Sequence, residues 1–164
     1  MRTENAIFIS YRRDDSRWTI RAAGEKLAGH FGKETVFIDV EAIEGGHDFI
    51  TAIDKALARS LALLVFIGDY WLVNKQGRCR LDDPEDIVRK EIATALERGL
   101  PVVPVLIDDA RMPSPQDLPA DLQALHRMNA VHLRHADFRA DMESLIVQLG
   151  RDLKLPMASV PWLD

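Results

Sequence analysis

The sequence predicts an α/β fold, an open five-stranded parallel sheet with helices on both faces. Short apolar runs alternate with segments whose apolar residues recur every three or four positions, the pattern of repeated strand–helix units joined by right-handed crossovers. One run, residues 61–67, is apolar throughout, as expected of a strand covered on both faces. A chain of 164 residues with 47% hydrophobic and 29% charged residues can bury one core without metals or disulfides, and its composition is not that of a disordered chain.

Residues 6–10 form the first predicted strand, closed by a polar cluster. Ser16 is placed to cap a helix that aligns Ile20, Ala23, Leu27 and Phe31 on one face, and Gly32 ends it. Residues 35–40 read as the second strand, and the loop 41–48 carries the adjacent glycines Gly45 and Gly46. Asp48 is an N-cap for a helix with Ile50, Ile53 and Leu57 on one stripe, and residues 61–67 are the third strand.

The polar stretch 68–83, with Tyr70 and Trp71, exceeds the length of an ordinary connection, and loops beyond about twelve residues are usually functional or disordered. Asp83 and Pro84 read as cap and first residue of a helix that turns Val88, Ile92 and Ala95 inward and stops at Gly99. Residues 102–107 are the fourth strand. Pro113, Pro115 and Pro119 punctuate a loop with one helical turn near residues 122–126, and residues 130–133 are a weaker fifth strand. Asp137 caps a last helix that repeats Phe138, Met142, Leu145 and Leu149, and periodicity is lost after Gly150. The expected organisation is a domain over residues 1–150 and a tail or linker over 151–164 leading to a further module.

Net charge is −5, from 21 basic and 26 acidic residues, so bulk attraction to nucleic acid has no global support and no direct nucleic-acid partner is expected. Cys79 is the single cysteine and residues 1–5 show no export signal, which points to the cytoplasm. The apolar run 61–67 falls far short of the roughly twenty residues a membrane helix needs, so no membrane association is expected. There is no GxGxxG, no phosphate-binding loop around Gly32 and Lys33, and no GxSxG elbow. His132 and His135 fall on opposite faces of a strand end, which argues against a shared metal.

With the common strand order 2-1-3-4-5, a flavodoxin-like arrangement, the loops after strands one and three flank the crevice where such sheets bind ligands. Arg12 and Arg13 lie there, suited to phosphate or, more blandly, to surface pairing with Asp14 and Asp15. Glu91 is the more informative residue. Nearby charges find i,i+4 partners, Glu85 with Arg89 and Asp86 with Lys90, whereas Glu91 has Ile87, Val88, Thr94 and Ala95 at three and four positions away. It sits at the border of the buried stripe, where partial desolvation tends to raise a carboxylate pKa; the ordinary alternative is a solvated flank residue. Tyr70 and Trp71 can stack on a ring or anchor their own loop, and Gly45 and Gly46 can admit a ligand or simply turn the chain.

Phe8-Ile9-Ser10-Tyr11-Arg12-Arg13 resembles the first-strand motif of TIR domains, a family that the chain resembles up to about Gly150. Residues 37–40 and 44–49 resemble its second strand and BB loop, and residues 88–96 resemble the helix that carries the catalytic glutamate of enzymatic members. Residues 102–105, Leu118 and Pro119 follow in the expected order, with spacing most similar to bacterial TIR proteins and to the animal axon-degeneration enzyme.

The resemblance implies hydrolysis of NAD⁺ at the nicotinamide–ribose bond, giving ADP-ribose or a cyclised product, with NAD⁺ as substrate and no cofactor. Glu91 matches the catalytic position. Tyr11 and Arg12 would line the nucleotide pocket, Gly45, Gly46 and Phe49 would belong to the mobile loop over it, and Trp71 would contact a ring. One departure is Ile87, where many enzymatic members have tryptophan. The family further implies activation when a partner or sensor module brings several TIR domains together, and bacterial relatives serve in anti-phage defence by depleting NAD⁺. The main alternative is a noncatalytic TIR–TIR interaction module. A phosphoacceptor receiver using Asp69 is a more distant one, disfavoured because strand four ends in Ile107-Asp108-Asp109 without a hydroxyl and strand five lacks a lysine.

Overall fold

The computed structural model describes residues 6–38 and 48–154. Five strands, β1 (Ala6–Ser10), β2 (Val36–Phe37), β3 (Ser60–Ile67), β4 (Val102–Ile107) and β5 (Val131–Leu133), pair in parallel in the order β2-β1-β3-β4-β5. The helices are α1 (Arg17–Phe31), α2 (Phe49–Ala58), α3 (Ile87–Glu97) and α4 (Phe138–Leu153).

The period-two alternation of the central strands divides the interior in two. Phe8, Leu63, Val65, Ile67 and Leu106 face the side covered by α2 and α3, packing on Ile53, Leu57, Val88, Ile92 and Ala95. Ile7, Ile9, Leu64, Phe66 and Val105 face the other side, against Ile20, Leu27, Met142, Leu145 and Leu149 of α1 and α4. Each fully buried aliphatic or aromatic side chain contributes about 1.5–3 kcal/mol relative to exposure. The uninterrupted apolar run of β3 is thereby explained, since it feeds both cores.

Several terminators behave as the sequence predicts. Asp48 caps α2 by accepting the Ile50 N–H at 3.0 Å and the Thr51 hydroxyl at 2.8 Å. Gly32 ends α1 at φ 98° and Gly99 follows α3 at φ 72°, both in the left-handed region open to glycine.

Other local expectations are corrected. Ser16 and Asp137 occupy the N-cap positions of α1 and α4 but make no capping side-chain bond, and Ser16 is itself left-handed at φ 52°. Helix α3 begins at Ile87, because Asp86 accepts the Arg89 N–H; Asp83 instead closes the preceding turn on the Glu85 N–H. Helix α4 runs on through Gly150 to Leu153. The stretch 68–83 is no open loop: Val73 and Cys79 form an antiparallel bridge around a turn at Gly77 (φ 82°), and Arg80–Asp82 form a 3₁₀ turn. Within the described residues the second strand covers only Val36 and Phe37, and the expected strand end and the loop with Gly45 and Gly46 lie outside them.

Candidate functional site

Strands β1 and β3 are neighbours at the middle of the sheet, so the segments leaving their C-terminal ends meet over the same edge, and α3 begins beside them. A pocket of about 400 Å³ opens there. Ile9, Tyr11, Arg12, Arg13 and Asp14 line it from the β1 side, and Asp86, Ile87, Val88 and Glu91 from the start of α3. Glu85 and Arg80 complete the rim.

Glu91 is 4% exposed, a carboxylate brought to the pocket wall by the helix face that also buries Val88 and Ile92. The sequence expectation of a carboxylate at the edge of the buried stripe is met. Tyr11 and Arg12 share the pocket with it. Trp71 does not: it is fully buried within the core on the α2/α3 side, its ring 5.6 Å beneath the Arg12 guanidinium. Its backbone matters more here than its indole face, because the Trp71 carbonyl accepts the Arg12 Nε–H at 2.6 Å. Phe49 begins α2, and Gly45 and Gly46 lie outside the described residues.

Arg12 is where the structure departs most from the sequence reading. It pairs neither with Asp14 nor with Asp15. It is 3% exposed, and its two terminal nitrogens donate to both carboxylate oxygens of Asp86 at 2.8 Å. With Nε on Trp71, one side chain ties the β1 segment, the β3 segment and the start of α3 together. Neither expected i,i+4 pair, Glu85 with Arg89 or Asp86 with Lys90, is made. Lys90 reaches Glu85 at 2.8 Å, while Arg89 donates to the Leu81 carbonyl at 2.9 Å and pairs with Asp121 at 3.3 Å.

A second tie lies beside the first. Asp15, 3% exposed, accepts the Gly68 N–H at 3.1 Å. Burial pushes its carboxyl above the usual range, outweighing the hydrogen bonds from the Tyr70 and Gly68 backbones. A Cβ on Gly68 would run into that carboxylate, approaching Oδ2 to 2.7 Å, so any larger residue here forces one of the two to shift. Asp14 and Arg80 form an ion pair at 2.6 Å on the rim, with side chains 45% and 25% exposed. Desolvation works upward on Asp14, but the hydrogen bond and charge of Arg80 outweigh it and hold the carboxyl below its usual range.

Asp86, Asp14 and Arg80 are the site residues that sequence reasoning missed. Only Asp86 carried a local signal, as an acidic residue directly before the apolar start of a helix. Among the described residues, no group of three or more His, Cys, Asp or Glu side chains is placed to hold a metal ion. No helix among them is long and apolar enough to cross a membrane.

The parallel 2-1-3-4-5 sheet with a pocket over its switch point defines a flavodoxin-like, doubly wound α/β protein. A family model described as TIR domain matches residues 7–146, and the chain belongs to that family. Among solved structures it is similar to the TIR domains of the activated Roq1 resistosome, which directly recognizes the pathogen effector XopQ: 16% identity over 92% of this chain and 99% of that one, with a TM-score of 0.57. It is also similar to the TIR domain of the Toll-related receptor TRR-2 from the lower metazoan Hydra magnipapillata, at 18% identity over 90% of this chain and 97% of that one, with a TM-score of 0.55. At these identities the likeness is one of fold.

Proposed function

We propose that the chain is an NAD⁺ nucleosidase in which Glu91 is the catalytic carboxylate. The observation that carries this reading is the near-complete burial of Glu91 on the wall of a pocket of about 400 Å³, within the size range of small-molecule sites. Nicotinamide in NAD⁺ is a cationic leaving group and departs neutral, taking the electron pair of the C1′–N bond. No general acid is needed, unlike the oxygen leaving groups of ordinary glycosides. Glu91 holds the ribose hydroxyls and stabilises the oxocarbenium-like charge on C1′, an interaction strengthened where water is excluded. Water then forms the new C1′–O bond and gives up a proton, yielding ADP-ribose; capture by a nucleophile of the same molecule yields a cyclic isomer.

Activity depends on assembly through TIR–TIR contacts, driven by a fused or partner sensor module, in a cytoplasmic defence role such as depletion of NAD⁺ during phage infection. Exposed Trp18 on α1 and Ile50 on α2, at 77% and 56%, supply apolar surface for such contacts, and the Roq1 TIR domains belong to a resistosome.

One observation favours a second reading, a noncatalytic TIR–TIR interaction module. Three of the five N–H donors of Arg12 are taken by Asp86 and Trp71 in a buried setting, so a dinucleotide would compete with structural partners for this cation. Incubating the crowded or oligomerised domain with NAD⁺ and resolving the products chromatographically separates the two. Nicotinamide release that vanishes in a folded Glu91→Gln variant supports the enzyme. An assembled sample that releases none leaves the interaction module.

A further inference from the structure

We infer that Arg80, on the rim of the pocket, binds the pyrophosphate of the dinucleotide, while Arg12 is held by buried structural partners. The inference rests on the nucleotide reading of the pocket. A dinucleotide brings two phosphate charges to a pocket lined by Asp14, Glu85, Asp86 and Glu91 as well as by arginines. A cation must therefore be able to change partners there. Arg12 cannot do so cheaply: its pairs are buried, and withdrawing it would strand the Asp86 carboxylate and the Trp71 carbonyl.

Arg80 is built differently. Its backbone is fixed, with the Arg80 N–H donating to the Leu72 carbonyl at 2.8 Å, the Val73–Cys79 bridge adjoining it, and the next carbonyl, of Leu81, held by Arg89 at 2.9 Å. Its head is held by one bond, from Nη1 to Asp14, between partly exposed side chains. Exposed pairs of this kind are weak and exchange readily. Nε and Nη2 take no acceptor among the described residues, so a fork of donors remains for a phosphate, matched in geometry to its oxygens. Asp14 then acts as a placeholder for the anion, keeping Arg80 over the rim until substrate arrives.

Titration calorimetry on the catalytically silent Glu91→Gln domain tests this with two ligands, NAD⁺ and nicotinamide riboside, which lacks phosphate. Arg80→Ala in that background should weaken NAD⁺ binding about tenfold or more, as expected for loss of a charge-assisted contact, and leave nicotinamide riboside unaffected. Arg80→Lys should keep part of the affinity, and Asp14→Asn should tighten NAD⁺ binding by releasing the guanidinium. Equal NAD⁺ affinity with and without Arg80, in protein shown folded by circular dichroism, overturns the assignment. So does an equal loss for both ligands, which would mean general distortion of the rim. Phosphate-dependent binding without nicotinamide release from the Glu91 protein would sink the nucleosidase reading and leave this one intact. Absence of any NAD⁺ binding would sink both.

Discussion

Asp86 serves two sets of donors at once: Oδ2 accepts the Arg89 N–H that opens α3, and both carboxylate oxygens accept the Arg12 guanidinium from a segment 74 residues earlier. The helix carrying Glu91 is therefore started and docked by the same carboxylate. Glu91 lies five positions further along, so its place on the pocket wall follows from that anchor.

Asp86→Ala removes the cap and leaves a buried guanidinium without its counterion, a loss of about 3 kcal/mol or more. Urea unfolding monitored by circular dichroism measures it. Adding Arg12→Met should recover part of the loss, since the stranded charge is then gone. A double variant no more stable than Asp86→Ala alone would contradict the pairing.

Gly68→Ala should cost about 1–3 kcal/mol, because the new methyl meets the Asp15 carboxylate and one side must shift. The same substitution in an Asp15→Ala background should cost little. If the two penalties are equal, the clash is not the cause.

The junction of β5 and α4 gives a pH signature. Asp141 accepts the Arg134 N–H at 2.9 Å and its guanidinium at 3.1 and 3.0 Å; the side-chain bond from Arg134 is the main force holding this carboxyl below its ordinary 3.8. A depressed acid stabilises the fold above the unfolded value and stops doing so as pH falls through the folded value. The stability advantage of wild type over Asp141→Asn should be full at neutral pH and shrink below about pH 3.8. Parallel unfolding curves at several pH values provide the readout.

Asp15 should show the opposite sign. Its carboxyl is raised above 3.8 by burial, so the folded state holds its proton more tightly than the unfolded chain does. Its contribution is full below the unfolded value and is lost as pH rises through the folded one. Asp15→Asn should therefore gain on wild type as pH climbs from acid toward neutrality. A difference that stays constant with pH would argue that the carboxyl is not perturbed.

The sheet was legible because its signals are local. The unbroken apolar run of β3 announced a strand covered on both sides, Asp48 announced α2, and the stripe of Val88, Ile92 and Ala95 placed Glu91 at the edge of the buried face. The ion pairs were not legible, because helix spacing offers Asp86 a partner in Lys90 while the fold supplies Arg12 from across the sheet. The start of α3 fell at Ile87 and not at Pro84 because Asp86, not Asp83, accepts the Arg89 N–H. Trp71 illustrates a third limit: an aromatic after a buried strand can face ligand or core, and only packing shows that its ring lies inside.

At the β5 edge the ladder is three residues long. A strand added from another molecule would find too few backbone groups to template an ordered stack. Filaments grown from that border would have to be joined by side chains, and so should disassemble on a change of salt or detergent, which cross-β fibres resist.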